Sequence, residues 1–175
     1  MIIRATIKLH NISRISAIKN TSAITDSLPG EWYATLISTG RTGGLGILFL
    51  HNPTMMTVVT LGKSIKKAIK ELPLRATSLL IRNGYKDLTP EFQLDTTPEI
   101  YSTNCRSILA NMNQIRFSLE YSLALSEELE EEDIARVEDL FLNNIVGGKI
   151  AKGEYMVPKT ILMELLENKA VANTR

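Results

Sequence analysis

A chain of 175 residues with 44% hydrophobic and 22% charged residues and a net charge of +1 has the size and balance of a globular domain that can bury a core without staples. One cysteine, Cys105, excludes an internal disulfide and fits a reducing cytoplasm, and with only His10 and His51 beside it no zinc site is recognisable. The longest apolar runs, LGILFL and MVPKTILMELL, fall far short of a membrane span, and Arg4 and Lys8 interrupt MIIRATIKLH where a secretion signal needs an unbroken apolar stretch.

In chain order, Ile3, Ala5, Ile7 and Leu9 alternate with Arg4, Thr6 and Lys8, a period of two that predicts a half-buried strand over 3–9. Residues 10–30 lose any pattern and end at Leu28-Pro29-Gly30, which reads as a loop with one helical turn. Glu31 to Ser38 reads as a second strand, with Trp32, Ala34 and Leu36 on one face. TGRTGGLG, residues 39–46, looks at first like a phosphate cradle. Such a loop must run from a strand into a helix, and here strand-like LGILFLH follows. The glycines are therefore expected to form the tight turn of an antiparallel hairpin. Asn52-Pro53 marks another turn between strands near 45–51 and 55–61.

Lys63 to Asn83 carries Ile65, Ala68, Ile69, Leu72, Ala76, Leu79 and Leu80 at helical spacing, with Pro73 expected to kink or divide the helix and Gly84 to stop it. Residues 85–98 read as a polar connection and 99–102 as a short fifth strand. Thr103 or Asn104 is the expected N-cap of a helix whose core face is Ile108, Met112, Ile115, Leu119 and Leu123. A second, uncharged stripe runs through Asn104, Ser107, Asn111, Gln114 and Ser118. Amides and hydroxyls both donate and accept, so the stripe is either a contact surface for a polar ligand or a buried network joining helix to sheet. Eight carboxylates fall between Glu127 and Asp139, an acidic start for a helix with Ile134, Val137 and Phe141 inside and Gly147-Gly148 at its end. Pro158 can open a last helix, buried through Ile161, Leu162, Leu165 and Leu166.

These elements predict an α+β fold. An antiparallel sheet of about four or five strands is covered on one face by three or four helices. One domain spans 1–170, strand-rich over 1–62 and helix-rich over 63–170, with a frayed tail at 171–175.

Several fragments together resemble a bacterial family of unknown function, small proteins of plasmids, phages and other mobile regions. They are MIIRATIKL, WYATL at 32–36, LFLHNPT at 48–54, TNCRSILANMN at 103–113 with Phe117 and Tyr121 behind it, and Tyr155 with Pro158. The resemblance spans nearly the whole chain. It implicates Arg4, Trp32, Tyr33, His51, Thr54, Thr103, Asn104, Arg106, Ser107, Met112 and Asn113. Cys105 falls at a variable position of the last motif. The chain departs from the pattern in having Arg41 alone where a doubled basic residue usually follows the second strand, and in lacking an Arg-x-Pro-Met-Gly run near 143–149. The family carries no established activity.

No acid–base pair, credible nucleophile or metal cluster stands out, so no catalytic residue and no cofactor is expected. The leading reading is a cytoplasmic, non-enzymatic binding protein for an unknown protein or small polar ligand, with Arg4, Trp32, Tyr33, His51, Thr103, Asn104, Arg106, Ser107, Asn111 and Asn113 as candidate contacts and no membrane association. The sequence sets no oligomeric state. An alternative is a nucleic-acid-binding accessory of a mobile element, with Lys66, Lys67, Lys70 and Arg75 on phosphates. Another is a hydrolase, which requires His51 within hydrogen-bond reach of Ser107. Residues 1–85 hold eleven Lys/Arg against three Asp/Glu, and residues 86–175 nine against sixteen. That polarity serves either a partner surface or mutual attraction of the two halves.

Overall fold

A computed structural model of the chain describes residues 1–16, 18–19, 27–125, 129–144 and 157–173. Strand β1 (Ile2–Ala5) is shorter than its alternation suggests. At Thr6 the backbone N–H donates to the Ala34 carbonyl and the chain turns into helix α1 (Ile7–Ser13). The alternation misleads because Leu9 and His10 are the buried side of that helix, while Ile7 is 69% exposed.

Strands β2 (Glu31–Ser38) and β3 (Leu45–Asn52) form the expected hairpin, and β4 (Thr57–Leu61) continues it. Gly40 in the hairpin turn has φ +77, and a Cβ there would lie 2.4 Å from that of Ala124. The glycine thus gives the turn its left-handed step and lets a helix approach closely. Helix α2 (Ile65–Arg82) follows and runs unbroken through Pro73. A mid-helix proline costs about 3 kcal/mol, and Leu72 and Ala76 on either side of it are fully buried, packing that offsets the cost and keeps the helix undivided.

The stretch read as a polar connection contains a 3-10 helix, Lys86–Phe92, which buries Leu88 and Phe92. Strand β5 (Glu99–Ser102), helix α3 (Arg106–Ala124), helix α4 (Glu131–Asn143) and helix α5 (Pro158–Asn173) complete the order. The N-cap of α3 is Cys105 rather than Thr103 or Asn104, and no side chain caps it. At α4 Glu130 and Asp133 form a reciprocal capping box, so part of the acidic run satisfies its first turn. Gly147-Gly148 and Tyr155 lie outside the described residues.

The α+β class holds, with two corrections. The sheet has order β4-β3-β2-β1-β5 and is mixed: β1 pairs in parallel with both β2 and β5, while β2, β3 and β4 are antiparallel. The long connection carrying α1 permits the crossover that a parallel pair needs. Helices also cover both faces, and there are five α-helices and one 3-10 helix among the described residues. On one face Ile3, Trp32, Ala34, Phe49 and Val58 pack with α1, α2, the 3-10 helix and α5. On the other Tyr33, Ile37, Leu48, Leu50 and Val59 pack with α3 and α4. Two-sided cover explains why β2 and β3 are buried along nearly their whole length. Among the described residues no helix is long and apolar enough to cross a membrane.

Candidate functional site

The candidate site is built on the α3 side of the sheet. Strand register aligns Arg4 of β1 with Tyr33 of β2 and Tyr101 of β5, so all three side chains project from the same face. Arg4 is fully buried, and its Nε and Nη2 donate to Glu31 Oε2 and Oε1 at 2.5 and 2.8 Å. This is a two-point guanidinium–carboxylate pair, the strong form of such a contact. The hydrogen bond to Glu31 raises the pKa of Arg4 against the opposing effect of burial. Burial, followed by the Glu31 charge, raises the Tyr33 phenol well above its ordinary value. Tyr33 therefore stays a neutral donor, and its hydroxyl gives a 2.7 Å bond to Asn104 Oδ1.

Asn104 stands where β5 has ended and α3 is about to begin, so that bond ties the start of α3 to the middle of the sheet. Cys105 Sγ lies 3.1 Å from Ser107 Oγ. At the far end the Ser38 N–H donates to Glu120 at 2.9 Å. Helix α3 is thus fixed to β2 at both ends, with Ile108, Met112, Ile115, Leu119 and Leu123 buried between. Each such apolar side chain contributes roughly 1.5–3 kcal/mol on full burial.

The residues singled out from the sequence divide into three groups. Arg4, Tyr33 and Asn104 come together, with Glu31 as a partner the sequence reading missed. Its signal was its position two residues before Tyr33, hence on the same strand face. Thr103 and Asn111 are half-buried. Arg106, Ser107 and Asn113 are exposed on α3, Arg106 and Asn113 on its outward side.

Trp32 and His51 form the second group, on the opposite face. Their rings are 4.7 Å apart, and His51 also meets Phe92 at 4.8 Å. The Pro29 carbonyl can only accept, so His51 Nε2 donates to it at 2.9 Å, and Nδ1 accepts from Thr54 Oγ1 at 2.8 Å. Burial lowers the His51 pKa to about 4. With both nitrogens occupied and the sheet between it and α3, His51 does not meet Ser107, and the dyad expected of a hydrolase is not formed.

The third group is on α2. Lys66, Lys67 and Lys70 are exposed. Arg75 is turned to α4, 2.5 Å from Glu131, and Arg82 meets Asp139 at 3.1 Å and Glu138 at 3.2 Å. Arg75 is thereby engaged within the molecule. Part of the charge polarity between the two halves of the chain is spent in joining them. Among the described residues no three His, Cys, Asp or Glu side chains gather as metal ligands.

The outward side of α3 carries what composition alone did not flag. Phe117, Tyr121 and Leu125, spaced by four, are 64%, 69% and 67% exposed. The Arg116 guanidinium lies over the Phe117 ring at 4.8 Å. Beside them a cleft of about 570 Å³ runs toward α4, lined by Ser122, Leu125, Arg136, Val137 and Leu140.

A family model described as a domain of unknown function, DUF6933, covers residues 2–160. No curated protein matches the chain.

Proposed function

The chain belongs to DUF6933, a family of unknown function, and from that premise we propose that it is a non-enzymatic binding protein that meets a protein partner through the outward side of α3. The observation that carries this reading is the row Phe117, Tyr121 and Leu125, each about two-thirds exposed. Large apolar side chains aligned on a surface and rimmed by polar groups mark contact sites. Aromatic residues and arginine supply most of the binding energy at such sites. Here Arg106, Asn113 and Arg116 form the rim. The buried side chains Arg4, Glu31 and Tyr33 work underneath and, through the exposed Asn104, hold the start of α3 so that its outer side is presented in one orientation.

The engaged nitrogens of His51 and its place across the sheet from Ser107 weigh against hydrolysis. The lone Cys105 supports a cytoplasmic location. The motif resemblance supports a bacterial accessory protein of mobile elements.

The test is affinity capture from cells that express the chain natively, with wild type and Phe117→Ser/Tyr121→Ser compared. Both substitutions are on exposed positions, so the melting temperature should change little. A partner in near-stoichiometric amount should be retained by wild type and depleted at least tenfold by the double variant. Equal capture by the two proteins, or none by either, defeats the reading.

A further inference from the structure

We propose that a second surface, on the other side of the sheet, binds the phosphate backbone of duplex nucleic acid through Arg14, Lys63, Lys66, Lys67 and Lys70. The proposal is independent of the α3 contact.

Helix α2 is electrically divided. Its C-terminal half carries Arg75 and Arg82, both neutralised by α4. Lys63, just before the helix, and Lys66, Lys67 and Lys70 in its N-terminal half are exposed, and none of them enters an ion pair among the described residues. Glu71, the next acid along the helix, leans to Arg75 at 4.0 Å. Among the described residues before it the only carboxylate is Glu31, which is buried against Arg4.

A second element extends the patch. Ser13 Oγ donates to the Lys63 carbonyl at 3.1 Å and accepts the Ile65 N–H at 3.2 Å, fastening the end of α1 to the start of α2. Arg14, the next residue, is exposed at that junction. Five cations from two elements therefore share one surface, and among the described residues no acid pairs with them.

The chemistry selects a polyanion. Lys66 and Lys70 lie one helical turn apart, about 6 Å along the axis, so several charges can reach one backbone together. No aromatic residue lies on α2 for base stacking, and lysine meets phosphate as a point charge rather than reading a base edge. Binding is therefore expected to be independent of sequence and steeply dependent on salt. The acidic α4, packed against the C-terminal half of α2, restricts the polyanion to the N-terminal half.

The test uses a fluorescein-labelled duplex of 24 base pairs and arbitrary sequence, read by anisotropy. With about four phosphates neutralised, the slope of log K against log salt should be near −4, so raising salt from about 50 to 200 mM weakens binding roughly hundredfold or more. Two charge-matched pairs separate the local patch from net charge. Lys66→Glu/Lys70→Glu and Lys86→Glu/Lys159→Glu each take the formal charge from +1 to −3, since every Lys→Glu change removes two charges. The first pair should lose at least tenfold in affinity and the second less than threefold, both with unchanged melting temperature. No salt-dependent binding, equal loss in the two pairs, or binding to vesicles containing phosphatidylserine in preference to the duplex would each overturn the proposal.

Discussion

The carboxylate of Glu138, on α4, accepts the backbone N–H of Val59 at 2.9 Å. Val59 belongs to β4, an outer strand of the sheet, whose outward N–H groups have no neighbouring strand among the described residues. An unpaired edge invites pairing with other chains. Here α4 covers it, and the side chain that does so is only 2% exposed. Its other oxygen is 3.2 Å from Arg82.

Burial raises the Glu138 pKa from 4.5 to about 7, against the Val59 hydrogen bond and the arginine charges. The folded state therefore holds a proton that the unfolded chain releases. The stabilisation from that proton is present below pH 4.5 and is lost as pH rises to about 7. At about 1.4 kcal/mol per pH unit this amounts to roughly 3 kcal/mol. Glu138→Gln keeps an acceptor for Val59 and removes the titration. The variant's stability relative to wild type should then rise across that window, measured by urea denaturation at pH 4.5 and 7.5. A difference that does not change with pH argues against a protonated Glu138.

His51 titrates in the opposite sense. Its pKa falls from 6.5 to about 4 on burial, so the unfolded chain binds the extra proton and stability is lost as pH drops through that range. In wild type the two groups oppose each other between pH 4.5 and 6.5, which flattens the profile. Glu138→Gln should expose the histidine slope, with stability climbing by up to about 3 kcal/mol from pH 4 to 6.5. A profile in the variant as flat as wild type would falsify the assignment of that slope to His51.

The buried pair Arg4–Glu31 should show strong non-additivity. Glu31→Ala leaves a guanidinium in the interior without its carboxylate, which costs about 3–5 kcal/mol. Replacing both, as Arg4→Met/Glu31→Leu, removes the stranded charge and should recover most of that loss. Denaturant midpoints of the two variants decide the matter. Equal destabilisation of single and double would mean the pair is retained for the contacts of Arg4 alone.

Much of this was legible in the chain, and what was not has identifiable causes. WYATLI and LGILFL read correctly as strands. Their lack of alternation was not read as cover on both faces, and helices were expected on one face only, although a strand with one wet face does not carry consecutive apolar residues. The core face of α3 followed from spacing alone. Alternation from Ile3 to Leu9 failed because seven residues cannot distinguish period two from a strand running into a helical turn. Lys86–Phe92 was hidden by Pro90 and its charges, since a 3-10 turn buries only Leu88 and Phe92. Arg75 looked like its lysine neighbours, and only the position of Glu131 on α4 separates it from them. For Arg4 and Glu31 the only signal was that Glu31 shares a strand face with Tyr33; their pairing, 27 residues apart, is set by strand register.

Gly30 meets two constraints at once. Its φ is +69, and a Cβ built there would lie 2.1 Å from the Asn52 carbonyl and 2.6 Å from His51 Nε2. Gly30→Ala therefore adds left-handed backbone strain to a backbone clash, at a combined cost of about 3 kcal/mol or more. The same side chain would push His51 off Pro29. Thermal unfolding should show the loss. A melting temperature within about 2 °C of wild type would mean the turn has room that its geometry does not display.

The hydroxyl of Tyr33 and the amide of Asn104 together offer the most direct test of how α3 is held. Tyr33→Phe removes one hydrogen bond while keeping the ring packed, for about 1 kcal/mol. Asn104→Ala should cost more, because Asn104 has a further interaction besides Tyr33. In a double-mutant cycle the coupling between the two should be about 0.5–1.5 kcal/mol, since either change alone breaks the 2.7 Å bond. If the bond fixes the first turn of α3, amide exchange at Leu109 to Met112, the first amides bonded within the helix, should accelerate in Tyr33→Phe, while exchange near Leu119 stays slow beneath the Ser38–Glu120 contact. Coupling near zero, or faster exchange spread evenly along the helix, would show that α3 is held by its apolar face and that the sheet hydroxyl sets nothing about its orientation.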